Sequence, residues 1–207
     1  KNNYHSQFVM DMISPKGLAE RSRVICLEGG KYQTAEIAYD LATKEISTGK
    51  KVYWVDGGSL LDPSRITSPS LMKSIDYLDR LSACRAFTAH QMSEIFRRME
   101  RPRDEGATVE EESLLIVTSA HSMFLDTQLG IVEGNMLLRN TLQRIRRISR
   151  TRRLAVLITI DRGNNPPTPS KVRNLLRKSC DHFLELPLSN EKSSTPGGEA
   201  QRLTDFL

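Results

Sequence analysis

The residues best placed to do chemistry in this chain are a glycine pair, a lysine and a hydroxyl. Gly29-Gly30-Lys31, with Thr34 close behind, follow the apolar run Arg23-Val24-Ile25-Cys26-Leu27. A β-rich run, a glycine turn and then a helix is the layout of a phosphate-binding loop. Its chemistry needs G-x-x-x-x-G-K-[ST]: glycines let backbone N–H groups close on phosphates, lysine neutralises charge, and a hydroxyl holds Mg²⁺. Counted from Gly29, the last three motif positions hold Thr34, Ala35 and Glu36, so the motif is broken where charge matters. Glu36 would repel a phosphate, and a helix N-terminus alone offers an anion only about 0.3–1 kcal/mol. Taken by themselves, the glycines read as a tight strand-to-helix turn.

Positive charge collects elsewhere. The segment from Arg139 to Arg153 holds seven arginines and no Asp or Glu. Leu138, Thr141, Leu142, Ile145 and Ile148 recur at helical spacing within it and predict a buried stripe. Arg139, Arg146, Arg150 and Arg153 form a second stripe that should face outward. Like charges on one helix repel, which a polyanion or an acidic partner would offset, as would carboxylates such as Glu110-Glu111-Glu112. Smaller basic groups lie at Arg97, Arg98, Arg101 and Arg103, and at Lys171, Arg173, Arg177 and Lys178.

The remaining chemistry-bearing residues give less. His5, His90, His121 and His182 show no metal-ligand spacing, and no metal site is expected. Ser119 and Ser122 flank His121 without the G-x-S-x-G elbow of a hydrolase. Cys26, Cys84 and Cys180 are odd in number and form no C-x-x-C pair, which predicts a reducing, intracellular setting (cytoplasm, nucleoid or nucleus).

These residues need elements to hold them. Strands are predicted at 23–27, 52–55, 83–87, 114–117, 154–160 and 182–186, and helices at 34–46, 71–81, 91–99 and 134–150. Leu114-Leu115-Ile116-Val117 is apolar throughout, as in a strand covered on both faces. Alternating strands and helices predict an α/β fold with a mostly parallel sheet. Ligands then bind beyond the strands' carboxyl ends, after Leu27, Val55, Val117 and Ile160. A core over residues 1–188 and a linker-like tail over 189–207 are expected.

Composition sets outer bounds. The 207 residues carry a net charge of +5, with 38% hydrophobic and 27% charged residues, which excludes wholesale disorder. No apolar run approaches a membrane span, and Lys1 to Met12 lacks a signal-peptide layout.

From about Leu18 to Leu188 the order of segments resembles the RecA/RadA recombinase family, especially its archaeal and eukaryotic paralogues. RVICLEGGKYQTAEIAYDLA resembles a decayed Walker A segment, and KKVYWVDGGSLLDPSRI the family's second strand with its Pro-x-Arg. LSACRAFTAHQMSEIF, LLIVTSAHSMF and NMLLRNTLQRIRRISRTRRLAVLITI are similar to the third strand and helix, to Walker B, and to the long helix with the fourth strand. The resemblance implies a RecA-like P-loop core with helices flanking a parallel sheet. It also implies a degenerate nucleotide site at Gly29, Gly30, Lys31, Thr34, Asp56 and Thr118. Thr118 stands where Walker B has Asp, Gly58 where the catalytic Glu belongs, and Asp161 at the polar sensor. Phosphoryl transfer rests on lysine, metal and a water-orienting group. A pseudo-ATPase that needs no cofactor is therefore expected.

In that family two loops contact single-stranded DNA, and their positions here are 124–135 and 162–174. The first carries only acidic charge, whereas the second is basic. Single- or double-stranded DNA is thus expected at Arg139, Arg146, Arg150, Arg153, Arg162, Lys171 and Arg173, through phosphates and without sequence specificity. A recombinase-like protein subunit is the expected partner, in a hetero- or homo-oligomer and not at a membrane. The implied role is accessory, in DNA recombination and repair. Two alternatives stay open: an ATPase using Lys31, Thr34 and Asp56, and a KaiC-like or protein-interaction module that binds no nucleic acid.

Overall fold

The computed structural model describes residues 22–66, 77–101, 108–162 and 168–187. Its strands are β1 (Val24–Gly29), β2 (Val52–Asp56), β3 (Leu81–Arg85), β4 (Leu114–Thr118), β5 (Ala155–Asp161) and β6 (His182–Glu185). The helices between them are α1 (Lys31–Ser47), α2 (Ala89–Glu100), α3 (Ile131–Thr151) and α4 (Ser170–Ser179). All six strands pair in parallel in the order β3-β2-β4-β5-β1-β6, as expected for an α/β core of RecA-like type.

That order follows from the sequence pattern. β1, β2, β4 and β5 are buried at every residue and fill the middle of the sheet, while the more exposed β3 and β6 form its edges. Side chains alternate between faces, so each central strand feeds two cores. Leu115 and Val117 of β4 join the core under α2, α3 and α4, whereas Leu114 and Ile116 join the one under α1. The chain leaves β1 in one direction across the sheet through α1 and returns in the other through α2, α3 and α4. Right-handed crossovers in opposite directions put their helices on opposite faces, which gives the observed layers.

Some expected boundaries move. The helix predicted at 71–81 falls mostly outside the described residues, and Tyr77–Arg80 form a short 3₁₀ turn running into β3. β3 is Leu81–Arg85 rather than 83–87, because Val52 pairs with Leu81 and Asp56 with Arg85. α1 begins at Lys31 instead of Thr34. The linker-like tail lies outside the described residues, and no described helix is long and apolar enough to cross a membrane.

Candidate functional site

The carboxyl edge of the sheet gathers ionisable side chains from several strands. Glu28 ends β1, Asp56 ends β2 and Asp161 ends β5, and each is at most 4% exposed. A buried carboxylate needs partners, so their arrangement defines the edge.

Asp56 is satisfied locally. It accepts backbone N–H groups from Gly58 (3.0 Å), Leu60 (3.2 Å) and Leu61 (3.1 Å), and the Thr118 hydroxyl at 2.9 Å. Trp54 Nε1 donates to the same Thr118 oxygen, and Arg85 approaches Asp56 at 3.2 Å. Burial raises the Asp56 pKa, but the donors around the carboxylate outweigh it and hold the group below its ordinary range. Asp56 and Thr118 therefore lock the turn after β2. Gly58 has no room for a catalytic glutamate, since a Cβ there would run into the Ser119 side chain.

Glu28 sits at the β1–β5 boundary, where crossovers diverge. The Arg173 Nε lies 2.9 Å from it and the Arg162 guanidinium 3.1 Å. Both arginines also reach Glu185, at 2.8 and 2.9 Å, and Arg177 joins at 2.6 Å. This corrects their expected place: Arg162 and Arg173 turn inward onto a buried carboxylate and leave the outward-facing set. The acid that captures them, Glu28, carried a signal as the only charge in its apolar strand.

The phosphate-loop segment takes an equally plain form. One residue, Gly30, separates β1 from α1, so no loop of the Walker A kind surrounds an anion. The space over Gly29 is closed by Leu186, whose Cδ1 lies 3.0 Å from where a Gly29 Cβ would stand. Arg162 N–H adds a 2.6 Å bond to the Gly29 carbonyl. Thr34 is buried and donates to the Lys31 carbonyl at 3.1 Å, whereas Lys31 is exposed. Gly29, Gly30, Lys31 and Thr34 thus share one turn, and Asp56 with Thr118 form a separate network.

Acids from other elements reach the arginine helix, one of the two ways of offsetting its charge that the sequence leaves open. Glu100 of α2 binds Arg144 and Arg147, Glu112 binds Arg153 at 3.2 Å, and Asp181 lies 3.8 Å from Arg146. Arg153 stands past the end of α3 at a φ of 53°, so it leaves the predicted stripe. Arg139 and Arg150 stay exposed on α3. Helical spacing puts Arg139, Arg146 and Arg150 on the flank opposite the one that faces Glu100, toward α4. On α4, Arg173 and Arg177 turn to β6, which leaves Lys171 and Lys178 on the flank toward α3. By this spacing each helix turns a basic flank toward the furrow between them. Sequence reading overlooked α4 itself, although Val172, Leu175 and Leu176 behind Pro169 carry a short helical spacing.

Of the two loops expected to touch DNA, the first is mostly exposed, with only Phe124 and Gly134 buried. Phe124 is buried in a 3₁₀ turn (Ser122–Leu125), and Glu133 pairs with His90 at 3.4 Å. Within the second, residues 163–167 lie outside the described residues. No metal-binding cluster occurs among the described residues, and the cysteines are free.

Fold and edge together define an α/β protein whose sheet ends in buried carboxylates beside basic flanks of α3 and α4. Asp56 and Glu28 are held by donors and arginines, whereas Asp161 accepts the Ser119 hydroxyl on one oxygen and its Oδ1 has no partner among the described residues. Compared with protein-family models and with curated proteins, the chain matches none.

Proposed function

We propose that this chain is a non-catalytic RecA/RadA-like paralogue, an accessory factor in DNA recombination and repair that binds DNA phosphates and pairs with a recombinase-like subunit. The observation that carries the DNA part is the furrow between α3 and α4. Helical spacing turns Arg139, Arg146 and Arg150 of α3 and Lys171 and Lys178 of α4 toward the space between the two helices, and Asp181 is the one described acid within 4 Å of any of them. Cations on two neighbouring helix flanks suit contact with phosphates without reading bases. The one-residue β1–α1 turn, closed over by Leu186 and Arg162, supports a role that does not use ATP.

Fluorescence anisotropy with labelled single-stranded DNA tests the reading. Affinity should fall with salt at a logarithmic slope of about −0.7 per phosphate contacted. Arg150→Ala and Lys178→Ala should each weaken binding and make that slope shallower, whereas Arg177→Ala, tied to Glu185, should not. Absence of binding at low salt refutes the nucleic-acid reading. Calorimetry with Mg-ATP addresses the ATPase alternative: micromolar binding that disappears in Lys31→Ala would establish it instead.

A further inference from the structure

A groove of about 860 Å³ opens where the furrow meets the carboxyl edge of the sheet. Its walls are the segment after β4 and the first turns of α3 and α4. Phe124, Leu125, Leu129, Ile131 and Val172 make it mainly apolar. Ile131 and the adjacent Val132 are 82% and 84% exposed, so the apolar surface continues over the rim. A volume of this size falls in the roughly 300–1,000 Å³ range of small-molecule sites, which combine apolar walls with a few polar groups.

The polar groups favour an anion. Lys171 is the one cationic side chain in the lining, and it belongs to the first turn of α4. No side chain caps that helix, whose N-cap is Pro169, and Arg173 makes the first intrahelical bond, so among the described residues the N–H groups of 170–172 have no acceptor and are open to a ligand. α3 likewise starts at Gly130 without a side-chain cap. His121 forms part of the wall, is 2% exposed, and its Nδ1 meets no partner among the described residues. Asp126, the one acid in the lining, accepts the Gln128 N–H at 2.9 Å and is held in its own turn.

We infer that this groove binds an amphipathic organic anion, an acyl or aryl body lying along Leu125, Leu129 and Ile131 with its carboxylate on Lys171 and the first turn of α4. Nucleic acid does not meet that description, because phosphates and sugars would leave the apolar walls bare. Lys171 is shared with the DNA furrow; the rest of the groove is separate from it.

Titration calorimetry of the full chain with dodecanoate, below its micelle concentration, tests the inference, with dodecan-1-ol and dodecyltrimethylammonium as comparisons. Dodecanoate should saturate one site and bind at least tenfold more tightly than either neutral or cationic analogue. Lys171→Gln should weaken it about tenfold, and Lys178→Gln, on the same helix but outside the groove, by less than twofold. Asn135→Trp should fill the groove and abolish binding while leaving DNA affinity within twofold of the parent. If that variant melts early, Thr127→Trp blocks the same space from an exposed position. Equal binding of acid and alcohol, equal losses in the two lysine variants, binding that survives both tryptophans, or no saturable binding overturns the inference.

Discussion

Single residues at the sheet edge carry much of its order, and Asp56 shows how. Three N–H groups, a hydroxyl and Arg85 converge on its carboxylate. Asp56→Asn keeps the shape but removes the charge and places an amide N–H₂ among donors. Hydrogen bonds to a charged group contribute roughly 1.5–3 kcal/mol, so a loss of about 2 kcal/mol is expected at pH 7. Because the folded-state pKa lies below the ordinary aspartate range, this stabilisation is complete above about pH 4 and is lost as pH falls through the folded value. Urea melts followed by Trp54, the only tryptophan, should show wild type and variant converging between about pH 5 and pH 2. Convergence at high pH instead would contradict the assignment. Glu28→Gln is the companion case. Breaking a buried ion pair costs about 3–5 kcal/mol, and the arginines here are 29% and 34% exposed, so about 2 kcal/mol is expected in the same melts.

At the scale of elements, packing overrides propensity at a predictable place. Gly134 lies in the first turn of α3, where Ala would ordinarily gain about 0.5–1 kcal/mol. A Cβ there would collide with the Phe124 carbonyl. Gly134→Ala should therefore lower stability by about 1–3 kcal/mol, as strained insertions in packed sites do. Thermal denaturation decides it, and a raised midpoint would show that the 122–130 segment yields easily. Thr88 illustrates the opposite case, in which local rules suffice. Its hydroxyl caps α2 by accepting the Gln91 N–H at 3.1 Å, and Thr88→Ala should cost about 1 kcal/mol in chemical denaturation.

For the whole molecule the charge balance matters more as a map than as a sum. Acids from distant positions neutralise Arg144, Arg147 and Arg153, while Arg139, Arg150, Lys171 and Lys178 have no carboxylate within salt-bridge distance among the described residues. A polyanion that fills the furrow binds only the folded state and stabilises it by mass action. Heparin at low salt should raise the melting temperature by about 2–4 °C, and 0.5 M salt should erase the gain. A heparin effect that persists in high salt would place the binding elsewhere.

Periodicity and composition by themselves determined the α/β class, the doubly buried strand β4 and the core-facing stripe of α3. Those depend on local spacing and on which residues avoid water, both written in the chain. The broken phosphate motif was equally legible, because it is a matter of residue type at fixed offsets. Only the tertiary structure decided which charges are spent. Arg162 and Arg173 look outward in sequence, yet Glu28, more than a hundred residues away, turns them in, since a carboxylate buried at a strand end must be neutralised there. The groove beside α4 was hidden for the same reason: its walls come from segments that meet only when parallel strands bring their loops to one edge.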